Sequence, residues 1–442
     1  MPETKTQLSI FLPELTVGGL LQHVSTLAKQ AKCDGVSTKI ISLGGSAQVS
    51  DWVRGLDVFL LETSEGAKAS EIAEHVAGAD VLLLSSPQTA IIAPLLSLAR
   101  TAAVGVHGSP GTNREWLGEE RFGVLAAAVA CDGGPQVLVP ASAYVDGVAK
   151  EFGVPVARVS VLHNAIFRPS DQHDTEPGMA SILVPMRLSP EKHWVLRAAA
   201  KLAAVGNVPL KVVGEGPAAE DFRKWLSQIS NLEFDVVEAS NIDPYLSVAD
   251  IVVAVGIVAL EAAARGRRVA VAAKPGGGLA GVLTPSSFGR LQDTNFSGLG
   301  LNSEAPEKIW RDLGQTTQAD RKLVAQLVGR EASPKKLLET LLSNLRPTQA
   351  PSVDRLSMAM IDMHASLEKR FDSLTRDARK VEEGRAWWQS QAEGAISQLR
   401  ESDAHARKVE EGRAWWQSQA EGAISQLRES DAHARSLEQR IQ

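Results

Sequence analysis

The stretch that decides the fold is ADIVVAVGIVALEA at residues 249–262. Residues 251–255 are almost all β-branched, which is typical of a strand buried on both faces. Gly256 ends this run, and the helical stretch that follows carries Glu261 about one turn along. A buried strand that turns directly into a helix is the repeating unit of a parallel α/β sheet, so the segment predicts that fold class.

The same alternation of short apolar runs and helical stretches extends from residue 7 to about residue 345. It predicts ten strands, at residues 7–12, 37–43, 81–85, 102–106, 136–140, 181–185, 210–213, 233–237, 251–255 and 269–272. Ten strands are many for one sheet, and the polar stretch at 168–178 contains the Pro and Gly of a linker. We therefore predict two Rossmann-like, doubly wound domains facing a cleft, at residues 1–170 and 171–345.

The C-terminal part of the sequence is an internal repeat. Residues 378–407 recur residue for residue at 406–435, a step of 28 residues or four heptads. Apolar residues spaced seven apart indicate a long left-handed coiled coil at 353–442, after a linker at 346–352, and hence a homo-oligomer. Charged residues in the apolar seam, such as Arg385, favour instead a solvated, partly disordered helical tail.

Composition excludes several classes of protein. The 442 residues carry a formal net charge of −6, which gives no electrostatic reason to bind nucleic acid. No apolar run approaches the roughly 20 residues of a membrane-spanning helix, and the N-terminus lacks the regions of a secretory signal. Cys33 and Cys131 form neither a CxxC pair nor a zinc pattern. We expect a cytoplasmic protein without a disulfide framework or structural zinc.

Two glycines after the first strand are the first candidate site residues. Gly18 and Gly19 precede a helix that begins near Leu20. Glycine lets backbone approach a ligand closely, and a helix N-terminus favours phosphate, although a plain strand-to-helix turn would look the same. The full GxGxxG pattern is missing, which argues against a nicotinamide-dependent dehydrogenase.

A pair of cations opens the second predicted domain. Arg187 follows a strand end, and Lys192 lies in the first turn of the next helix. Cations there oppose the helix dipole unless an anion is near, so a diphosphate between the two would resolve the conflict. The alternative is a solvent-exposed basic pair.

Two further turns in this domain point to a nucleotide. Gly214 and Gly216 follow a buried strand and would leave room for a base or ribose. The N–H groups of Gly256, Ile257 and Val258 open a helix, and Glu261 on that helix is a lone carboxylate among apolar residues. Such a carboxylate is costly unless it binds donors such as ribose hydroxyls or pairs with a nearby arginine, Arg265 or Arg267.

Taken together, these residue sets resemble the retaining glycosyltransferases of family four, which have the GT-B fold, over about residues 7–345. The resemblance implies that the first domain faces the acceptor and the second binds the nucleotide-sugar donor. Arg187 and Lys192 would hold the donor diphosphate, and Glu261 the ribose. His107, in VGVHGS, is similar to the family histidine near the donor sugar, and residues 161–165 resemble a segment at the domain junction.

Two features depart from this pattern. Val253 stands where the family has the first carboxylate of its Glu-x7-Glu motif, which contacts the donor sugar. It keeps open a second interpretation, a catalytically degenerate GT-B scaffold that binds partners, and a nucleotide-sugar 2-epimerase is a third. Three consecutive glycines, 276–278, within residues 274–281 suggest a flexible loop over the cleft that could close on the donor, or a disordered surface loop.

The predicted activity is therefore transfer of a sugar from a nucleotide diphosphate to a glycan, lipid-linked or protein hydroxyl, with no metal and no cofactor. Arg187, Lys192 and the amides of residues 256–258 would stabilise the leaving diphosphate. The resemblance gives His107 the task of orienting the donor sugar rather than acting as a general base. Residues 1–170 contain more acids than bases, so a basic membrane-facing patch is not apparent and peripheral association with the inner membrane face stays open.

Overall fold

The computed structural model describes two parallel α/β sheets. The described residues are 7–13, 15, 19–43, 53–61, 69–90, 92–107, 109–167, 181–239, 241–273 and 276–348, with scattered positions from 421 to 435. The predicted coiled coil at 353–442 lies outside them apart from those positions, and it stays a prediction. Both sheets, and all contacts between them given below, lie in one compact unit of the chain.

The first sheet has the strand order β3-β2-β1-β4-β5-β6-β7, with every one of these pairs parallel. A short strand near residue 346, β14, adds antiparallel to β5. The strands are β1 Gln7–Leu12, β2 Ser37–Ser42, β3 Asp57–Leu60, β4 Asp80–Leu84, β5 Thr101–Gly105, β6 Gln136–Val139, β7 Val159–Val161 and β14 Arg346–Pro347.

The second sheet has the order β10-β9-β8-β11-β12-β13, parallel except for β13. Its strands are β8 Ile182–Pro185, β9 Leu210–Gly214, β10 Phe234–Glu238, β11 Ile251–Ala254, β12 Arg268–Ala273 and β13 Gly278–Val282. All ten predicted strands are present, and their ends differ from the prediction by at most one residue. The alternation of apolar runs and helices thus predicted the central strands of both sheets, but not the four strands β3, β7, β13 and β14.

Helices connect the strands and cover the sheets. Around the first sheet they are α1 Gly19–Cys33, α2 Ala69–Val76, α3 Pro87–Ala90, α4 Asn113–Leu117, α5 Glu119–Ala130 and α6 Val145–Phe152. The remaining ones are α7 His193–Gly206, α8 Ala219–Leu226, α9 Asp243–Leu246, α10 Ile257–Ala264, α11 Phe288–Gln292, α12 Pro306–Gln315, α13 Gln318–Glu331 and α14 Pro334–Asn344. We call residues 7–167 with 334–348 the first half, and residues 181–331 the second half.

The last long helix returns to the first half. Leu337 and Leu341 of α14 are buried in the same hydrophobic cluster as Leu8 of β1. Where the chain makes this return, the backbone N–H of Ile166 donates to the carbonyl oxygen of Ala332 at 3.0 Å. The chain therefore crosses between the halves twice, and the two crossings lie side by side. The domain limit at residue 345 stays a prediction, although α14 packs on the first half.

The glycine-rich segment differs from its prediction. Gly278–Val282 is not part of a loop over a cleft: it forms the buried edge strand β13, which pairs antiparallel with β12. The glycines permit this because Gly277 has a φ of 71°, and a Cβ on Gly278 would lie 1.9 Å from Ser303 Oγ. Lys274 and Pro275 lie outside the described residues.

A crowded glycine beside this strand gives a test of the packing. Gly298 has a φ of 62°, and a Cβ there would lie 2.7 Å from Ala280 Cβ and 2.8 Å from Ala273 Cα. Gly300 has a φ of 77° with nothing within 4 Å of the added atom. We expect Gly298→Ala to lower the free energy of unfolding by about 2–4 kcal/mol, since it adds overpacking to backbone strain. Gly300→Ala should cost only about 1 kcal/mol. Urea titration of both variants measures the difference, and equal losses would contradict the described packing of β13.

Candidate functional site

Two helix N-termini from the two halves meet at Gly19. A Cβ placed on Gly19, the first residue of α1, would lie 3.7 Å from Cγ2 of Ile257, the first residue of α10. The first N–H groups of a helix have no partner within that helix, and they carry the positive end of its dipole. Two such ends in contact favour an anion beside them. Gly18 lies outside the described residues.

Gly256 sets the direction of α10. Its φ of 59° lies in the region that favours glycine, whereas an added Cβ would meet nothing within 4 Å. The backbone conformation, not lack of space, therefore requires this glycine. Its N–H donates to the carbonyl oxygen of Phe296 at 3.1 Å, which fixes the point where β11 turns into α10.

Glu261 lies one turn into α10, and its carboxylate meets the first half. Nε2 of Gln22, on α1, donates a hydrogen bond to Oε1 of Glu261. Burial raises the pKa of Glu261 to about 7, and Asp243 adds to the rise, while Arg265 and the bond from Gln22 oppose it. The carboxyl group is therefore held near its midpoint of ionisation at neutral pH.

The arginines that the sequence offered as alternative partners are engaged elsewhere. Arg265 donates to Oδ1 of Asp243 at 2.6 Å and to the backbone oxygen of Glu261 at 3.2 Å. Arg267 donates to the backbone oxygens of Ser247 and Ala249, at 2.6 and 3.3 Å. Neither guanidinium forms an ion pair with the Glu261 carboxylate, so the simple salt-bridge explanation of this residue fails.

Two histidine rings, one on α1 and one that follows β5, are in contact near the start of α1. The ring of His107, which follows β5, lies 5.8 Å from the ring of His23 on α1, edge to face. Burial lowers the pKa of His107 to about 3 and that of His23 to about 4, so both rings are neutral at pH 7. Within the described part of the chain, Nε2 of His107 has no hydrogen-bond partner, whereas the side chain of Asn164 lies near enough to His23 to act against the lowering of its pKa.

The predicted basic pair surrounds an acid of its own. Arg187 is exposed beyond the end of β8, and Lys192 is the residue before α7. Glu191 lies between them in sequence. Burial acts to raise the pKa of Glu191, but a 2.6 Å bond from Ser189 Oγ, with Arg187 and Lys192 nearby, lowers it overall. The unfavourable placement of two cations at a helix start is thus partly offset within the chain.

Gly214 and Gly216 have a structural role that the sequence did not predict. A Cβ on Gly214 would lie 1.8 Å from the carbonyl oxygen of Met186, and one on Gly216 would lie 2.2 Å from that of Leu188. The glycines let the turn after β9 pack against the backbone after β8, where Leu188 N–H donates to Glu215 O at 2.7 Å. They therefore hold the segment that carries Arg187, and their contact with a base or ribose stays a prediction.

A second polar contact joins the halves beside this site, at residues 293–297, which we call the 293–297 turn. Ser142 Oγ donates to Asp293 Oδ1 at 2.6 Å, and Asn164 Nδ2 donates to Asn295 Oδ1 at 2.7 Å. Asn164 belongs to the predicted junction segment. Asn295 and Phe296 have φ values of 54° and 51°, which are strained for residues other than glycine.

The predicted residues come together only in part. Gly19, Ile257 and Glu261 meet through α1, and His107 lies behind the same helix against His23. Arg187, Lys192, Gly214 and Gly216 follow β8 and β9, at the carboxyl edge of the sheet from which α10 also starts. The sequence did not predict the contacts of Gln22 and His23, which belong to a group of four buried polar residues near the start of α1, together with Ser25 and Thr26.

Val253 lies away from any cleft. Val253 is fully buried in the core of the second sheet, so its position contributes no carboxylate to a cleft. Among the residues that the structure describes, no group of three or more His, Cys, Asp or Glu is placed to hold a metal ion.

Within the same residues, every helix is too short or too polar to cross a membrane.

Comparison with known proteins places the fold. No family model matches the chain, and no curated protein matches it either. Among solved structures, HepE from Anabaena in complex with UDP is 15% identical with a TM-score of 0.54, covering 76% of this chain and 98% of its own. A glycosyltransferase from Rickettsia africae is 15% identical, with a TM-score of 0.53 and coverages of 77% and 97%.

A third structure is more distant in sequence. Staphylococcus aureus TarM, solved as a variant with UDP and α-GlcNAc-glycerol among its ligands, is 9% identical with a TM-score of 0.55, covering 76% of this chain and 99% of its own. Each of these chains is matched over nearly its full length, so the likeness includes both sheets. The described part of the chain therefore has the GT-B fold of these glycosyltransferases.

Proposed function

We propose that the protein is a retaining glycosyltransferase that moves a sugar from a nucleotide diphosphate to a hydroxyl acceptor. The observation that carries the proposal is Glu261, a buried carboxylate whose pKa is raised to about 7 and with which no arginine in the described part of the chain forms an ion pair. Such a group is costly to fold around unless a ligand with hydroxyl donors uses it. It lies one turn from two helix N-termini in contact, and a diphosphate beside a ribose matches that combination.

The donor-binding residues then take distinct roles. Glu261 accepts hydrogen bonds from the ribose hydroxyls, and the N–H groups at Gly19 and at 257–258 face the diphosphate, whereas the N–H of Gly256 is bonded to the carbonyl oxygen of Phe296. Arg187 and Lys192 supply positive charge, with Gly214 and Gly216 holding the Arg187 segment in place. Gly18 stays in the proposal on the resemblance alone.

In the reaction, the bond between C1 of the sugar and the diphosphate oxygen breaks, and its electron pair goes to the diphosphate. The acceptor hydroxyl oxygen bonds to C1 on the same face, and its proton passes to the leaving diphosphate oxygen. Preorganised N–H groups and the two cations stabilise the charge that develops there. His107, neutral and buried, is suited to orienting the donor sugar; a group with a pKa of about 3 is a weak base at pH 7.

The degenerate scaffold is the second candidate, and the buried Val253 is the observation that favours it. An enzyme and a scaffold differ in turnover, which is assayed with several nucleotide sugars and acceptors. Glycan, lipid-linked and protein acceptors all remain candidates. Self-association through residues 353–442 is likewise a proposal, which the mass of the protein in solution tests.

The proposed donor site should bind a nucleoside diphosphate. UDP, GDP, ADP, CDP and dTDP are compared by thermal shift, with UDP first because structures of HepE and TarM contain it. A nucleotide present at 100 times its Kd should stabilise the protein by about 2.7 kcal/mol. Glu261→Ala and Arg187→Ala should abolish the shift, whereas Arg330→Ala, an exposed arginine on α13, should preserve it. If none of the five nucleotides raises the midpoint of thermal unfolding, the proposed donor site is wrong. The scaffold then becomes the better-supported function.

Nucleotide affinity should depend on pH through Glu261. Ribose hydroxyls donate to the ionised carboxylate, and the pKa of Glu261 is raised to about 7. Nucleotide affinity should therefore fall as the pH drops below 7, by roughly tenfold between pH 8 and pH 6. Isothermal titration measures it, and Glu261→Gln serves as the control because only the titration of the nucleotide itself remains. The same pH slope in both proteins would remove Glu261 from the site.

Glu261 should also make the stability of the ligand-free protein depend on pH. Because the pKa of Glu261 is raised to about 7 in the folded protein, the folded state holds the proton more tightly than the unfolded chain. Its contribution to stability is full below the ordinary glutamate pKa and is lost as the pH rises through about 7. Glu261→Gln should therefore raise the free energy of unfolding at pH 8 by about 2–3 kcal/mol and change it little at pH 4. Urea titration at both pH values tests this, and lower stability at pH 8 would contradict it.

A further inference from the structure

Gln22 is the residue through which the first half reaches the proposed ribose carboxylate. It is buried on α1, at 9% exposure, and its amide donates to Oε1 of Glu261 on α10. The same two helices also approach each other one turn earlier, where a Cβ on Gly19 would lie 3.7 Å from the side chain of Ile257. Because these contacts lie on one face of α1, the orientation of Gln22 is fixed by the docking of the helix, not by a mobile side chain alone.

The other charged groups near Glu261 leave this bond without a substitute. Arg265, on the same helix, is held by Asp243 of α9 and by a backbone oxygen. Asp243 is itself a carboxylate and disfavours the charged form of Glu261. Within the described residues, the Gln22 amide is the hydrogen-bond donor that the structure gives to the Glu261 side chain.

We propose that Gln22 is a positioning residue, whose amide fixes the Glu261 carboxylate from the opposite half, so that the nucleotide site is complete only while the two halves are docked. The inference rests on the proposed role of Glu261 in binding ribose. A carboxylate accepts about four hydrogen bonds, so a single bond to Oε1 leaves Oε2 free to accept ribose hydroxyls. Gln22 and the nucleotide thus share the carboxylate rather than exclude each other.

The bond acts on both geometry and charge. It restricts the rotation of the carboxylate, and a donor to the charged form favours ionisation, against the effect of burial. Loss of the amide should therefore weaken nucleotide binding and also move its pH dependence upward. A residue that only filled space would not move the pH dependence.

The experiment uses Gln22→Met, which keeps the length of the side chain and removes the donor. UDP binding is measured by isothermal titration from pH 6 to pH 9. We expect a Kd about fivefold weaker at pH 7 and a midpoint of the pH dependence that lies higher by a few tenths of a unit or more. Gln22→Asn, whose amide is too short to reach Glu261, should behave alike. In a Glu261→Gln background, Gln22→Met should add no further loss.

Gln30→Met is the matched control. Gln30 lies on the same helix, and its amide donates to a carboxylate oxygen of Asp34 at 3.0 Å on the exposed surface. This variant should change neither the Kd nor the pH midpoint. Tighter UDP binding by Gln22→Met would overturn the inference by showing that the amide competes with ribose, and an unchanged Kd and midpoint would reduce Gln22 to packing.

A ligand-free measurement separates this inference from the proposed function. If the unaltered protein binds none of the nucleotides, the proposed function fails, but the contact is still testable through the pH dependence of the unfolding midpoint. Gln22→Met should shift the loss of stability to higher pH, since the pKa of Glu261 rises further without its donor. Glu261→Gln should abolish that loss. No shift in Gln22→Met would overturn the inference on this measurement too.

Discussion

A carboxylate that is removed from water must find hydrogen-bond donors, and Glu261 finds one in the other half of the chain. Much of the site depends on this constraint. The bond from Gln22 requires α1 to dock its first turns against α10, and that docking brings two helix N-termini into contact. The same turns place His23 against His107. The positive helix ends and the neutral histidines are therefore consequences of one helix position.

The 293–297 turn adds further contacts between the two halves next to this site. It receives hydrogen bonds from Ser142 and Asn164 of the first half, while the carbonyl of Phe296 accepts from Gly256 at the start of α10. Asn295 and Phe296 adopt backbone conformations that cost of order 1–3 kcal/mol each. Such conformations persist when the surroundings fix them, and here the surroundings are contacts on both sides of the cleft.

The sequence predicted the sheets well because buried parallel strands are continuous apolar runs. It missed β3, whose residues alternate between half-buried and exposed, β13, whose glycines looked like a loop, and the short strands β7 and β14. Glu261 was recognisable as a carboxylate among apolar residues. Gln22 was not assigned, because its partner is 239 positions away and only the tertiary fold brings the two together. Gly214 and Gly216 were chosen for a space that the packing of backbone against backbone fills.

The double crossing of the chain has a mechanical consequence. One crossing follows Ile166 and the other follows Ala332, and a hydrogen bond of 3.0 Å joins these two residues. Because the two connections are joined at one point, they oppose sliding of one half past the other more than rotation about that point. The halves also stay at a high effective concentration, which makes re-docking of α1 on α10 a local event that is independent of protein concentration.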